Sequence, residues 1–258
     1  MGSNIQVVYS DNTLSEVEFT SFSDGCENCN ILKDGESGYE FPCTANIVVK
    51  RVIDGTRDVM RILLVKEAII RMKNRVGSLT LPYLPNARAD RVFNTGDSHP
   101  LKVTCEILNS AGFTSIIIED PHSDVSEGLL DNPAIRKQGV GFLYHKRNII
   151  ECVGKDFNLC APDIGATKKT FELAKTLGKK DYIQAIKVRD LSTGNIVKCD
   201  LLQDNVEGNV VIVDDIADGG ASFIHLGKLL KERGADKVLL YVTHGIFSKG
   251  LQPLQGSV

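Results

Sequence analysis

The sequence lacks the features that mark several protein classes. Its net charge is −3, so it has no basic excess of the kind that binds nucleic acid or another polyanion. No apolar run approaches the length of a membrane span, and the start shows no signal-peptide pattern. No linker or low-complexity tract divides the chain. We therefore expect a globular protein without membrane or nucleic-acid partners, which holds any anionic ligand through local groups.

Cysteine is present but forms no recognisable framework. The seven cysteines are odd in number and scattered, which argues against structural disulfides and for a reducing cytosol. Cys26 and Cys29 form a lone CxxC pair, and only Cys43 is near them. A zinc site would need a second pair of ligands at a suitable spacing. We expect neither a metal nor a redox role for these residues.

The order of apolar segments predicts the fold class. The 258 residues have room for one large domain or for two smaller ones packed together. Strand-like and helix-like segments alternate, which indicates an α/β fold with a mainly parallel sheet, and several strands are continuous apolar runs. The predicted strands are Ile47–Val52, Gly77–Tyr83, Ser115–Glu119, Ile183–Val188, Val210–Val213 and Val238–Val242. The predicted helices are Val59–Met72, Pro100–Ala111, Ala166–Leu177 and Ala221–Arg233.

Two parts of the chain repeat one pattern. A helix is followed by Gly112, a strand and His122, and a later helix is followed by Gly234, a strand and His244. The spacing from glycine to histidine is equal in both, and each glycine suits a helix end that needs a positive φ. Each histidine should fall just past the carboxyl end of a strand, where open α/β sheets bind ligands. The repeat predicts two similar halves.

The segment 210–222, VVIVDDIADGGAS, is the strongest local pattern. Apolar residues lead to Asp214 and Asp215, and small residues then open an amphipathic helix. Small residues let the backbone approach a phosphate closely, and the first amides of a helix point toward it. Carboxylates at the strand end can accept hydrogen bonds from sugar hydroxyls or face magnesium through water. A strand, a solvated acidic turn and a helix without any ligand would give the same pattern.

Further segments occur in an order that resembles the ribose-phosphate pyrophosphokinase family. The segment 210–222 is similar to the phosphoribosyl-diphosphate loop that this family shares with the phosphoribosyltransferases, and the other segments favour the pyrophosphokinases. These are FSDG (22–25), PYLPNARADR (82–91), IIIEDPHSD (116–124), APDIGA (161–166), IKVRD (186–190) and YVTHGIFSKG (241–250). They span nearly the whole chain, and the IKVRD and DGG forms look most like phage-type members.

The resemblance implies two phosphoribosyltransferase-like halves, each a mainly parallel sheet flanked by helices. Residues 1–145 would form an N-terminal ATP-binding half, and residues 146–258 a sugar-phosphate-binding half. Arginine suits the ATP site because its planar fork grips phosphate oxygens bidentately, although a plain surface loop would also carry arginine. The implied ATP-binding residues are Phe22, Asp24, Arg88 and Arg91.

The sugar phosphate and the metal would be held mainly by acidic and small residues. Asp214 and Asp215 would bind the ribose hydroxyls. His122 and Asp163 would lie near Mg²⁺, since imidazole can coordinate a metal or pair with phosphate. A helix start is the plainer role for Asp163, and we expect His244 to be structural. The residues implied to cradle the sugar's phosphate are Asp218, Gly219, Gly220, Ala221 and Ser222.

Lys187 and Arg189 match the catalytic cations of the family's flexible loop, and His122 completes the implied catalytic set. Transfer at the β-phosphorus of ATP spreads negative charge over oxygens, and cations aimed there stabilise the transition state. Without the resemblance, the two cations would be interpreted as a basic pair on one face of a strand. The stretch 190–195, DLSTGN, is typical of a mobile turn that closes over a substrate.

The chain departs from the family pattern at several places. Cys26 stands where the FxDGE loop usually has an acid, and Glu27 is a candidate replacement. Ala89 replaces the usual glutamine, and the segment 92–100 replaces a more basic one. The chain ends soon after Gly250, whereas members usually continue for one further strand and helix.

The implied function is transfer of the β,γ-diphosphoryl group of ATP to the anomeric hydroxyl of ribose 5-phosphate, with Mg²⁺, in a cytoplasmic homo-oligomer (in a host cytoplasm if phage-encoded). Gly219 stands where many members carry a threonine that closes over a terminal phosphate. Its absence opens space, so ADP-ribose, in the rebuilding of NAD, is an alternative acceptor. A phosphoribosyltransferase that consumes the activated sugar and a catalytically silent homologue remain as further alternatives.

Overall fold

The computed structural model describes residues 4–32, 43–52, 55–189 and 196–258, and the side chains of all of these except 187–189 and 196–198. The chain divides into two compact units, Met1–Arg136 and Lys137–Val258. The predicted boundary between residues 145 and 146 lies instead inside a helix, Gln138–Val153, that belongs to the second unit. Each unit has its own sheet and its own core.

The first unit contains a seven-stranded sheet in the order β3-β2-β1-β4-β5-β6-β7. Strands β4 to β7 pair in parallel, whereas β1 pairs antiparallel with β2 and β4, and β2 pairs antiparallel with β3. The strands are β1 Ile5–Tyr9, β2 Leu14–Ser21, β3 Glu27–Ile31, β4 Thr44–Val49, β5 Arg75–Leu81, β6 Ile116–Glu119 and β7 Pro133–Arg136. The helices are α1 Gly55–Arg71, α2 Pro100–Ser110 and α3 Val125–Leu129.

The helices of the first unit follow the helical period of the sequence. Ile62, Val65 and Ile69 lie on one side of α1 and are fully buried. Pro100 occupies the first turn of α2, where its missing N–H costs nothing. Gly112, which follows α2, has a φ of 68°, as predicted for a helix end.

The second unit contains a five-stranded sheet in the order β10-β9-β8-β11-β12. Only the β9–β10 pair is antiparallel, and the other three pairs are parallel. The strands are β8 Phe157–Ala161, β9 Ile183–Arg189, β10 Ile196–Leu201, β11 Gly208–Ala217 and β12 Ala235–Gly245. The helices are α4 Gln138–Val153, α5 Thr167–Thr176 and α6 Ala221–Glu232, and a 3-10 turn spans Gln252–Leu254.

Strand β11 is the centre of this second unit. Val210 and Ile212 pack in the cluster that contains the buried face of α6, whereas Val211 and Val213 pack with residues of α4 and α5. Both faces of β11 are therefore covered, which explains its continuous apolar run. The strand continues to Ala217, four residues beyond the predicted end, so the acid pair at 214–215 lies within it.

The ten predicted helices and strands are all present, with ends shifted by up to four residues. The second glycine of the repeat, Gly234, also has a positive φ, 110°. His122 follows its strand, whereas His244 is the penultimate residue of β12 and is buried. No helix in the described part of the chain is both long enough and apolar enough to cross a membrane.

Candidate functional site

Three carboxylates gather at the carboxyl edge of the second unit's sheet. Asp163 follows β8, and Asp214 and Asp215 lie in the last four residues of the adjacent strand β11. The backbone N–H of Asp215 donates to Oδ1 of Asp214 at 2.9 Å. Burial, together with the negative charges of Asp215 and Asp163, raises the pKa of Asp214 to about 8. A cation or a hydroxyl donor bound here would relieve this repulsion.

Neighbouring side chains hold the acids in place. Nε2 of Gln138, the first residue of α4, donates to the backbone carbonyl of Asp214 at 2.5 Å. Nζ of Lys169, on α5, lies 3.8 Å from Oδ2 of Asp215. Oδ1 of Asp163 accepts the N–H of Ala166, the residue immediately before α5, at 3.2 Å.

The turn after β11 has the shape that its glycines allow. Gly220 adopts a φ of 76° and forms the N-cap of α6. Its carbonyl accepts the N–H groups of Phe223 and Ile224, each at 3.0 Å. The first turn of α6 contains no acidic side chain. The turn 218–222 therefore presents backbone to a ligand at the positive end of the helix dipole.

In the first unit, the loop after β5 is attached to α2 by a hydrogen bond of Asn86 and carries two exposed arginines. Asn86 has a φ of 62°, and its Nδ2 donates to Oγ1 of Thr104 on α2 at 2.8 Å. Arg88 is exposed. The Arg91 side chain is 73% exposed and its Nε lies 3.6 Å from Oδ1 of Asp90. Both predicted ATP-binding arginines thus lie on a loop that contacts α2 through Asn86.

His122 lies on the next loop along the same sheet edge, because β5 and β6 are parallel neighbours. The segment contains a strained residue that the sequence did not reveal. Asp120 has a φ of 41°, is buried, and its N–H donates to the Arg136 carbonyl at 2.8 Å. A non-glycine residue at positive φ is uncommon and often accompanies a functional turn.

The FSDG segment forms the tip of the β2–β3 hairpin. Phe22 N–H donates to the Cys26 carbonyl at 2.8 Å, and Oδ1 of Asp24 accepts the Cys26 N–H at 3.0 Å. Phe22 is 57% exposed and Asp24 is exposed. Both side chains are therefore available at the surface of this unit.

Glu27, in contrast, is not exposed at the surface. Its carboxylate is 6% exposed and lies 2.6 Å from Nη2 of Arg61 and 2.7 Å from Nη2 of Arg57, on α1. These hydrogen bonds, that of Arg61 first, hold the pKa of Glu27 well below its usual value. Glu27 is paired with two arginines of α1, which argues against the interpretation that it replaces the acid missing at Cys26.

Lys187 and Arg189 lie in the second half of β9, the strand that pairs with β10. Their side chains are outside the described part of the structure, as is the predicted turn 190–195. Their catalytic role stays a prediction.

The acid pair fits a magnesium ion only in part. Among the described residues, no group of three or more His, Cys, Asp or Glu side chains is arranged to hold a metal. Mg²⁺ usually keeps several waters and is bound by one or two carboxylates together with substrate phosphates. The raised pKa of Asp214 marks a carboxylate that a cation would stabilise. These residues fit an ion that the substrate's phosphates also hold.

Comparison with known proteins finds relatives of one kind over most of the chain. A family model described as "Phosphoribosyl synthetase-associated domain" matches residues 195–255. Proteins named ribose-phosphate pyrophosphokinase from Thermosipho africanus and Mycoplasmopsis pulmonis are 27% identical over 251 residues and 28% identical over 206 residues. The chain is thus similar to ribose-phosphate pyrophosphokinases over most of its length.

The coverage of these relatives is partial. The alignments include 96% and 79% of this chain, but 77% and 63% of the two relatives. The crystal structure of phosphoribosylpyrophosphate synthetase from Mycobacterium smegmatis matches with a TM-score of 0.78, over 96% of this chain and 78% of that chain, at 22% identity. This match confirms the predicted α/β fold with mainly parallel sheets.

Proposed function

We propose that this chain is a ribose-phosphate pyrophosphokinase, which transfers the β,γ-diphosphoryl group of ATP to the anomeric hydroxyl of ribose 5-phosphate and gives phosphoribosyl diphosphate and AMP. The names of the matched relatives support this reaction. The observation that carries the proposal is the acid pair of β11 followed directly by the glycine turn that opens α6. A pentose phosphate has hydroxyls at one end and an anion at the other, and these two features are complementary to it.

In the proposed complex, Asp214 and Asp215 accept hydrogen bonds from the ribose hydroxyls, and the amides of the turn 218–222 bind the 5-phosphate. This arrangement would fix the sugar at both ends. Holding the acceptor in one orientation supplies much of the rate enhancement in such transfers. The ammonium of Lys169 lies 3.8 Å from Oδ2 of Asp215 and places a positive charge beside this carboxylate.

On the ATP side, Arg88 and Arg91 bind the triphosphate, and Phe22 and Asp24 contact the nucleotide. His122 lies near the phosphates. Mg²⁺ bound with the substrate's phosphates would supply charge neutralisation. His122 in the first unit and Asp163 in the second are the ligand candidates that the resemblance implies, and the acid pair of β11 is a further candidate because a cation would stabilise Asp214. We also propose a homo-oligomer in which the exposed FSDG hairpin completes a neighbour's ATP site. Sedimentation of the active enzyme would test this, and a fully active monomer would refute it.

In the transfer step, the anomeric oxygen attacks the β-phosphorus and forms a new P–O bond there. The bond from that phosphorus to the oxygen bridging the α- and β-phosphates breaks, and AMP leaves with this oxygen. The proton of the anomeric hydroxyl is released. Lys187 and Arg189 stabilise the negative charge that accumulates on the transferred oxygens.

The test is acceptor-dependent release of AMP, measured by chromatography with ATP and magnesium. Release with ribose 5-phosphate supports the proposal, and preference for ADP-ribose would identify the alternative acceptor that Gly219 suggested. Consumption of phosphoribosyl diphosphate without ATP would instead indicate a phosphoribosyltransferase. No turnover with any acceptor would indicate a silent homologue. The Asp215→Asn variant should raise KM for the sugar phosphate more than KM for ATP, with the exposed Asp236→Asn as control.

A further inference from the structure

The loop that follows β12 is fixed onto the end of β11. The backbone N–H groups of Ile246 and Phe247 both donate to the carbonyl of Ala217, at 2.8 Å and 3.1 Å. The N–H of Gly250 closes the loop by donating to the Phe247 carbonyl at 2.8 Å. The residues between them are therefore held beside the strand that carries the acid pair and beside the glycine turn that follows it.

This loop places the side chain of Lys249 over Gly219. A Cβ atom at Gly219 would lie 3.7 Å from Cε of Lys249 and 3.8 Å from its Cδ, which is ordinary van der Waals contact. The space that a threonine side chain would fill is thus bordered by the methylenes of a lysine. The sequence alone had suggested that this space is open. The ammonium nitrogen lies one bond, about 1.5 Å, beyond Cε.

The ammonium of Lys249 is available for a ligand. Lys249 is exposed, and the described ranges contain no hydrogen-bond or ion-pair partner for it. Its stem lies against the turn that we propose as the phosphate site. A lysine here supplies a donor in place of the hydroxyl that Gly219 lacks.

We propose that Lys249 determines acceptor specificity by closing over the terminal phosphate of the sugar. This inference rests on the proposed function. A phosphate monoester carries close to two negative charges at neutral pH, whereas each phosphate of ADP-ribose has one ester bond and one anhydride bond and carries about one negative charge. The ammonium therefore favours ribose 5-phosphate. The lysine stem also takes up part of the space beside Gly219 that the absence of a threonine side chain would otherwise leave for a second phosphate.

The test compares kcat/KM for ribose 5-phosphate and ADP-ribose in the wild type and three variants. Lys249→Ala should lower kcat/KM for ribose 5-phosphate at least tenfold, mainly through KM. It should raise the ratio of ADP-ribose to ribose 5-phosphate at least tenfold, while KM for ATP changes less than twofold. Lys249→Arg should keep the wild-type preference. Lys228→Ala, which removes an exposed lysine of α6, should behave as the wild type. A ratio within twofold of the wild type in Lys249→Ala would overturn the inference.

Calorimetric titration with ribose 5-phosphate, without ATP, separates this inference from the proposed function. If the wild type turns over but Lys249→Ala binds the sugar phosphate as tightly as the wild type, the inference fails and the function stands. If the wild type does not turn over yet binds ribose 5-phosphate in a Lys249-dependent way, the proposed reaction fails and the phosphate contact stands. Equal thermal unfolding midpoints will show that the variants are folded.

Discussion

The acid pair of β11 leads to a prediction about folding stability and pH. Burial and the charges of Asp215 and Asp163 raise the pKa of Asp214 from 3.8 to about 8. Because the folded-state pKa is the higher one, the folded protein binds the extra proton between these two values. The free energy of unfolding therefore falls as pH rises through this window. Asp214→Asn removes the ionisation, so the variant should become more stable relative to the wild type over the same window.

The size of the effect follows from the change in pKa. A rise of about 4 in pKa corresponds to about 6 kcal/mol, which is the ceiling. The ammonium of Lys169, 3.8 Å from Asp215, stabilises the ionised pair in part. Relaxation and water entry lower the cost of burying charge further, so we expect about 2–3 kcal/mol. The difference should be small near pH 4, increase from about pH 5 to about pH 8, and stay constant above that.

Urea unfolding followed by circular dichroism, at about pH 5, 7 and 9, measures this difference. Hydrogen exchange of peptides from β11 shows that the change arises in the second unit. Asp236→Asn, which removes an exposed carboxylate on β12, is the control and should show no such trend. The prediction is contradicted if the difference in the free energy of unfolding between Asp214→Asn and the wild type stays constant, within about 0.5 kcal/mol, from pH 5 to pH 9. The buried negative charges of the acid pair would then not destabilise the folded protein.

Two further predictions concern cations. Lys187→Ala and Arg189→Ala should each lower kcat by roughly 100-fold or more, about 3 kcal/mol, with unchanged unfolding; turnover within about twofold of the wild type in both would contradict their catalytic role. Arg61→Met should destabilise the first unit by about 3 kcal/mol at pH 7, because Glu27 stays buried with one cation fewer, whereas Arg71→Met, in an exposed pair, should cost less than about 0.5 kcal/mol. Since the pKa of Glu27 is lowered, the Arg61 contribution should be present above about pH 4.5 and be lost as pH falls. Unfolding curves of Arg61→Met that match the wild type would refute this.

The parts of the fold that sequence patterns predicted are those in which local composition and burial agree. Strand β11 is apolar on both faces, because both are covered, and its pattern is therefore visible in the sequence. Gly112 and Gly234 end helices at positive φ, a conformation that favours glycine strongly enough to be recognised from its position alone.

The missed elements are those in which tertiary contacts override local preference. In β2 only Ser15 and Val17 are buried, and charged residues lie between and beside them, so the strand has no apolar run. Helix α4 contains Gly139 and Gly141, which lower its helix propensity. A Cβ at Gly141 would lie 2.9 Å from the Tyr241 hydroxyl. Glycine at this position therefore leaves room for a side chain that is distant in sequence.

The same distinction applies to the candidate site. The acid pair and the glycine turn are contiguous, and they were predictable as a unit. The ion pair of Glu27 and Arg61 joins residues that lie 34 positions apart in the chain. The contact of Lys249 with Gly219 joins two separate loops. No spacing rule reveals either contact. The order of segments therefore indicated the resemblance to ribose-phosphate pyrophosphokinases, whereas the details that bear on substrate choice required the packed structure.

Gly220, at the start of α6, packs against Leu254 of the 3-10 turn. Substitutions at these two positions test whether this contact determines the backbone conformation of the glycine turn. A Cβ at Gly220 would lie 3.0 Å from Cδ2 of Leu254, and the φ of 76° is itself unfavourable for alanine. Gly220→Ala should therefore cost about 2–3 kcal/mol, of which about 1–2 kcal/mol comes from the positive φ. Gly178→Ala isolates that backbone cost, because its φ is 69° and a Cβ there would meet nothing within 4 Å.

Leu254 is buried, so Leu254→Ala should cost about 2 kcal/mol by itself. In the double variant with Gly220→Ala, the shorter side chain removes the clash, and the combined loss should be about 1 kcal/mol less than the two single losses together. Urea unfolding of the four proteins measures this coupling. Additive losses, or a Gly220→Ala variant that loses no more than Gly178→Ala, would show that Leu254 does not press on the turn. The backbone at the proposed phosphate site would then owe its shape to the glycine alone.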